Sequence, residues 1–185
     1  MGKYNKLIDY YVPVILVLTA FIWKFFFIDY RDICNDEPFT IYHAQKSLSG
    51  IISISMANEA TPPLFMILTH FWIKLFGIGP YSVRFLPLLF NAFTVLFIYL
   101  AGKRFFGFWA GLIASGMFLL SNYHFFYGLE ARTYSLMSLA TAASLYYFLR
   151  YANDQSDRKA LTALIISNIV LVYSHHFGWF VIFSQ

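Results

Sequence analysis

Long apolar runs broken by short polar connectors dominate the chain, at residues 12–28, 82–101, 108–120, 133–149 and 161–173. At about 1.5 Å rise per residue the longer runs cross most of a ~30 Å hydrocarbon core, and the shorter ones do so with local thinning or snorkelling. The first run follows Lys3 and Lys6 and leads directly into Asp29-Tyr30-Arg31, with no small-residue cleavage site, so it reads as a retained transmembrane helix and not as a signal peptide. A sixth apolar run ends at Phe183-Ser184-Gln185, the pattern expected of the N-terminal portion of a larger protein.

The stretch 63–76 is long enough for a short span or for a helix lying in the interface. Charge parity separates the two. If the stretch lies flat, Lys103, Arg104, Arg150, Arg158 and Lys159 share the cytoplasmic side with Lys3 and Lys6, as the tendency of basic connectors requires. Residues 29–81 then form one outer loop carrying two interfacial helices, near 38–48 and 63–76. Helical spacing in the second turns Leu64, Ile67, Leu68 and Phe71 inward and leaves Lys74 wet. The predicted fold class is all-α: a polytopic membrane helix bundle of five to six transmembrane helices plus these two, with residues 1–185 forming a single transmembrane domain.

Composition agrees. Apolar residues make up 59% and charged residues 12%, against roughly 25% charged in soluble domains, which excludes an ordinary soluble globular protein. The +4 formal charge is spread thinly instead of forming a basic stripe, so it is read as setting orientation, with no nucleic-acid partner. The one cysteine, Cys34, excludes an internal disulfide and a thiolate metal cluster.

With this topology Asp36, Glu37, Glu59, Arg84, Glu130, Arg132, His175 and His176 all fall at the outer face or just inside it, as an active site at the membrane boundary would gather them. Asn35-Asp36-Glu37-Pro38 suits an acidic N-cap with Pro in the first turn, and equally a carboxylate base for an attacking hydroxyl. Arg84 at the outer end of its span reads either as a snorkelling residue or as a rigid fork for a lipid-linked phosphate. The phosphate logic extends to Arg132. Glu130 is expected to pair with Arg132 or to cap the following helix. Lys24 is read as snorkelling, and His175-His176 as interfacial hydrogen-bonding residues. Their spacing carries no ligand signature, so no cofactor is assigned; a divalent metal is the lesser alternative and would need a carboxylate such as Asp36 or Glu59 within reach of the two rings.

Taken in order, Asp36-Glu37, Pro62-Pro63-Leu64, Ser82-Val83-Arg84-Phe85-Leu86-Pro87, Lys103-Arg104-Phe105-Phe106-Gly107, Glu130-Ala131-Arg132-Thr133-Tyr134-Ser135-Leu136 and Tyr173-Ser174-His175-His176-Phe177-Gly178 make the chain resemble the GT-C membrane glycosyltransferases. The nearest group is the family 39-like one, with protein O-mannosyltransferases and lipid A aminoarabinose transferases. The resemblance implies an integral protein of a bacterial plasma membrane, N-terminus cytoplasmic. It would move a sugar from a polyprenyl-phosphate donor to a lipid, glycan or protein hydroxyl at the extracytoplasmic face, with inversion. It implies Asp36 as catalytic base with Glu37 beside it, Arg84 on the donor phosphate, and Arg132, Glu130 and His175 in substrate binding. The competing readings are a non-enzymatic polytopic membrane protein (a transporter fragment or assembly subunit) and an inactive truncated transferase.

Overall fold

The computed structural model describes residues 2–57 and 61–185, with side chains from residue 10 onward. Among these residues every regular element is a helix: α1 (Gly2–Phe25), α2 (Glu37–Ala44), α3 (Leu48–Ala57), α4 (Leu64–Phe76), α5 (Pro80–Phe106), α6 (Phe108–Leu120), α7 (Asn122–Tyr127), α8 (Tyr134–Asn153), α9 (Arg158–Ser174) and α10 (Gly178–Phe183). The segment between α1 and α5 holds three helices where two were expected. The physical reason lies at Lys46-Ser47, where the Ser47 hydroxyl accepts from the Gly50 amide at 3.2 Å and starts α3 as a separate helix.

The helix α5 is long and apolar enough by itself to cross a membrane. It is also the centre of the bundle, packing against α1, α6 and α8, while α8 packs on α9. Its buried stripe runs through Val83, Leu88, Ala92, Val95 and Tyr99. Where α5 meets α6, a Cβ on Gly102 would lie 2.6 Å from the Gly111 backbone, so glycine at this contact lets the two backbones touch.

Polarity is inverted relative to a water-soluble fold. Ile15, Leu75, Trp109, Met117 and Ile165 point outward, whereas Thr94, Ser115, Ser135, Ser144 and Ser174 are buried. Several buried hydroxyls satisfy themselves on their own helix: Thr94 on the Phe90 carbonyl at 2.8 Å and Ser115 on the Gly111 carbonyl at 2.8 Å. An apolar exterior of this extent suits lipid as solvent.

The same inversion corrects the expected face of α4. Phe65, Met66, Thr69, His70 and Ile73 are buried, while Phe71 is 50% exposed alongside the wet Lys74. The cause is polar: His70 Nδ1 reaches the Ala44 carbonyl at 2.7 Å and Thr69 bonds back to Phe65 at 2.9 Å, so the hydrogen-bonding face turns toward protein. Lys24 is corrected likewise. It is 2% exposed and does not snorkel, because its ammonium donates inward to Asn91 and, at 2.8 Å, to the His124 carbonyl.

Candidate active site

The C-terminal ends of α1 and α9 and the N-terminal ends of α5 and α8 meet at one end of the bundle. Thr133 ties two of them, its hydroxyl donating to the Ser174 carbonyl at 2.6 Å. The turn 128–133 is pressed onto α5, since a Cβ on Gly128 would lie 2.7 Å from the Asn91 side chain. This end collects Asp36, Glu37, Arg84, Glu130, Arg132 and His175. Glu59 lies outside the described residues.

Glu37 and Arg84, both with 0% side-chain exposure, form a buried bidentate pair: Arg84 Nε donates to Oε1 at 2.8 Å and Nη2 to Oε2 at 2.6 Å. Arg84 also donates through Nη1 to the Ile28 and Arg31 carbonyls at 3.0 and 2.7 Å, and through Nη2 to the Asp32 carbonyl at 2.9 Å. A guanidinium has five N–H donors, and all five of these have protein acceptors. The expected snorkelling is therefore absent. A phosphate would have to displace one of these acceptors to reach Arg84.

Glu37 is equally engaged. Its Oε1 also accepts from the Ala131 amide at 3.0 Å, and its Oε2 accepts from the Cys34 amide at 3.3 Å. Burial pushes its carboxyl up, but the Arg84 fork and the two amides outweigh that and hold it below the ordinary carboxylate range. One ion pair thus fastens the exit of α1, the start of α2, α5 and the 128–133 turn to one another. Glu37, expected to act beside Asp36, has no open oxygen with which to take a proton.

Asp36 is the opposite case. Its side chain is 63% exposed and its nearest charged partner is Arg132, with Nη2 at 3.7 Å from Oδ2. It makes no side-chain cap to α2, and its backbone sits in the helical region at φ −89°, so the capping expectation fails because the residue already continues the turn. Arg132 also donates to the Thr40 hydroxyl at 3.4 Å and lies over the Phe39 ring at 5.9 Å.

Glu130 is 4% exposed. It neither pairs with Arg132 nor caps α8, whose N-cap Thr133 has no side-chain cap bond. Its Oε2 is buried without a hydrogen-bond partner. Burial raises its carboxyl above the usual range, against the pull of Arg31 and Arg132. His175 accepts from the Phe177 amide at Nδ1 (3.1 Å), which places its proton on Nε2. Burial, His176 and Arg132 lower it below the ordinary histidine value. Its ring lies against Tyr134, 6.3 Å between centroids, whereas His176 is exposed. Among the described residues no three His, Cys, Asp or Glu side chains stand together as a metal site would need.

Sequence reasoning passed over Arg31, taken only as a polar flank of the first run. Its Nε and Nη2 are buried and unpartnered, and its guanidinium carbon stands 4.3 Å from the Phe126 ring centre. The signal was its place in Asp29-Tyr30-Arg31-Asp32, immediately after a span. Beside the site an apolar cavity of about 430 Å³ opens between α5, α6, α7 and α8, with Tyr123, Tyr127, Gly128 and Tyr134 on its wall.

No curated protein and no solved structure matches the chain. A family model does, described as dolichyl-phosphate-mannose-protein mannosyltransferase, over residues 60–183. Arg84, Glu130, Arg132 and His175 lie inside the matched region, and Asp36 and Glu37 precede it. Because that match covers more than half of the chain, the protein belongs to the dolichyl-phosphate-mannose-protein mannosyltransferase family, a glycosyltransferase family of the GT-C type whose members are integral membrane proteins.

Proposed function

We propose that the chain transfers a sugar, mannose in the first instance, from a polyprenyl-phosphate carrier to a protein hydroxyl at the extracytoplasmic face of the membrane. The N-terminus lies in the cytoplasm. Helices α1, α5, α6, α8 and α9 cross the bilayer, and α2 and α4 lie in the interface. The basic connectors at Lys103-Arg104 and Arg150–Lys159 support this orientation, because they occupy the end of the bundle away from the site.

The observation that carries the reading is the contrast between two neighbouring carboxylates. Glu37 is consumed by Arg84, while Asp36 is open and stands 3.7 Å from Arg132. In the reaction, the acceptor hydroxyl oxygen attacks the anomeric carbon and Asp36 takes its proton. The bond from that carbon to the phosphate oxygen breaks, and its electron pair leaves with the phosphate. In-line attack inverts the centre. The leaving group needs positive charge and no proton, which Arg132 supplies once its contact with Asp36 opens and the anomeric carbon stands between the two, with the His175 Nε2–H as a neutral donor nearby. Arg84 and Glu37 are positioning residues that hold the backbone on which the reacting groups stand. The cavity beside Tyr127 and Tyr134 suits the first isoprene units of the carrier.

The test is transfer from a polyprenyl-phosphate mannose to a serine- or threonine-containing peptide by the protein in lipid nanodiscs. Asp36→Asn keeps the shape but not the basicity. It should lower turnover by about 10²–10⁴-fold with donor binding retained. Near-normal turnover in that variant overturns Asp36 as the base.

A further inference from the structure

Among the described residues at this end of the bundle, two charged side chains that the mechanism above does not use leave buried atoms without partners. Arg31 leaves Nε and Nη2 unsatisfied, and Glu130 leaves Oε2 unsatisfied at 4% residue exposure. A buried polar atom without a partner is uncommon, and each such atom calls for a physical explanation. Nε and Nη2 form one edge of the guanidinium, the same edge that Arg84 presents to Glu37. The chain therefore holds two Arg forks at one site. One is filled by a carboxylate and the other has nothing in it.

The unfilled fork is also held in place. The Arg31 carbonyl accepts from Arg84 Nη1 at 2.7 Å, which pins the backbone. The guanidinium is held over Phe126 at 4.3 Å and against Tyr30 at 5.5 Å. Among charged groups, Arg31 acts most strongly on Glu130, yet the two form no ion pair within 4.0 Å. Arg31 as a whole is half-buried, so rotation about its outer torsions opens the fork without disturbing the pinned backbone.

We infer that Arg31 and Glu130 together bind the head of the lipid-linked donor, the Arg31 fork receiving the phosphate and Glu130 a hydroxyl of the sugar. The planar, bidentate edge of Arg31 matches two phosphate oxygens. Glu130, facing the sugar and not the phosphate, avoids placing a carboxylate on an anion. Burial raises its carboxyl above the usual range, and its unpartnered Oε2 is free to accept from a sugar hydroxyl. Arg84 then acts at one remove, by holding the segment that aims Arg31. This assignment rests on the lipid-phosphate donor proposed above.

The test is equilibrium binding to the whole chain in nanodiscs, with farnesyl phosphate, farnesyl phosphomannose and farnesol as probes. Arg31→Ala should weaken both phosphate-bearing probes by about tenfold to a hundredfold, the range for loss of a charge-assisted bidentate contact. Farnesol binding should be unchanged, which reports that the lipid groove is still folded. Arg31→Lys should recover part of the loss, since it keeps charge without the fork. Glu130→Ala should weaken the phosphomannose probe and leave farnesyl phosphate alone. If the unaltered chain binds farnesyl phosphate no better than farnesol, the lipid-phosphate donor falls and this assignment with it. If it prefers farnesyl phosphate but Arg31→Ala keeps that preference, the donor reading stands and Arg31 is excluded. If Glu130→Ala weakens all probes alike, Glu130 serves the fold and the sugar half of the assignment is wrong.

Discussion

Two ion pairs lie within a few residues of each other in this site and could hardly differ more. Arg84 and Glu37 meet through two bonds with no exposure, and five backbone groups complete them. Arg132 and Asp36 meet through one contact at 3.7 Å, with the acid 63% exposed. The first pair has given up its reactivity for position, because every lone pair and proton that could act on a substrate is already committed. The second is held loosely enough to exchange its partner for a substrate. At 3.7 Å, with the acid largely in solvent, the contact is a weak one, so little attraction is lost when it opens. Adjacent acids in one sequence thus acquire opposite surroundings from the depth at which the start of α2 places them, and the opposite jobs proposed for them follow from that difference.

The strongest way to break this comparison is to remove half of the buried pair. Arg84→Ala leaves the Glu37 carboxylate buried and uncompensated and three carbonyls without their donor. It should cost about 3–5 kcal/mol of stability, read as a large drop in melting temperature in nanodiscs. Arg84→Lys should fall between, since an ammonium cannot serve both carboxylate oxygens and three carbonyls. Asp36→Ala in the same measurement should change little. If Asp36→Ala were as damaging as Arg84→Ala, the division between a scaffold pair and a reactive pair would collapse.

Acid should sharpen it. The folded-state value of Glu37 is depressed, so its contribution is present above the ordinary carboxylate range and is lost as pH falls through the lower folded value. Melting temperature should therefore drop on strong acidification. In Glu37→Gln that part of the drop should vanish from a curve already lowered at neutral pH. A Glu37→Gln curve parallel to the unaltered one would remove Glu37 as the source.

The smallest effect is expected at Glu130, where the sign reverses. Its folded-state value is raised, so the ionised form destabilises the fold as pH rises above the ordinary carboxylate range, and below that range the burden disappears. Glu130→Gln should be slightly more stable than the unaltered chain at pH 7 and indistinguishable from it near pH 4. A loss of stability at pH 7 would mean that the carboxylate has a partner holding its charge.

Much of the architecture could be read from the pattern of residues alone. The run 108–120 coincides with α6, the run 161–173 falls within α9, and 82–101 falls within α5. Apolar length and charged or glycine punctuation set these limits locally. Composition excluded a water-soluble domain, and the ordered motifs from Asp36-Glu37 to Tyr173–Gly178 pointed to the GT-C type that the family match bears out. What the sequence could not carry was direction and depth. Which face of α4 turns inward depended on the Ala44 carbonyl that His70 finds 26 positions away, and whether Lys24 snorkels depended on Asn91 and His124. Asp36 and Glu37 are chemically near-equivalent neighbours, and only the convergence of α1, α2, α5 and the 128–133 turn around one guanidinium decided which became scaffold. The empty fork of Arg31 belongs to the same class. A partner's absence is a property of everything that surrounds a side chain in space, and nothing in the residue's own neighbourhood along the chain records it.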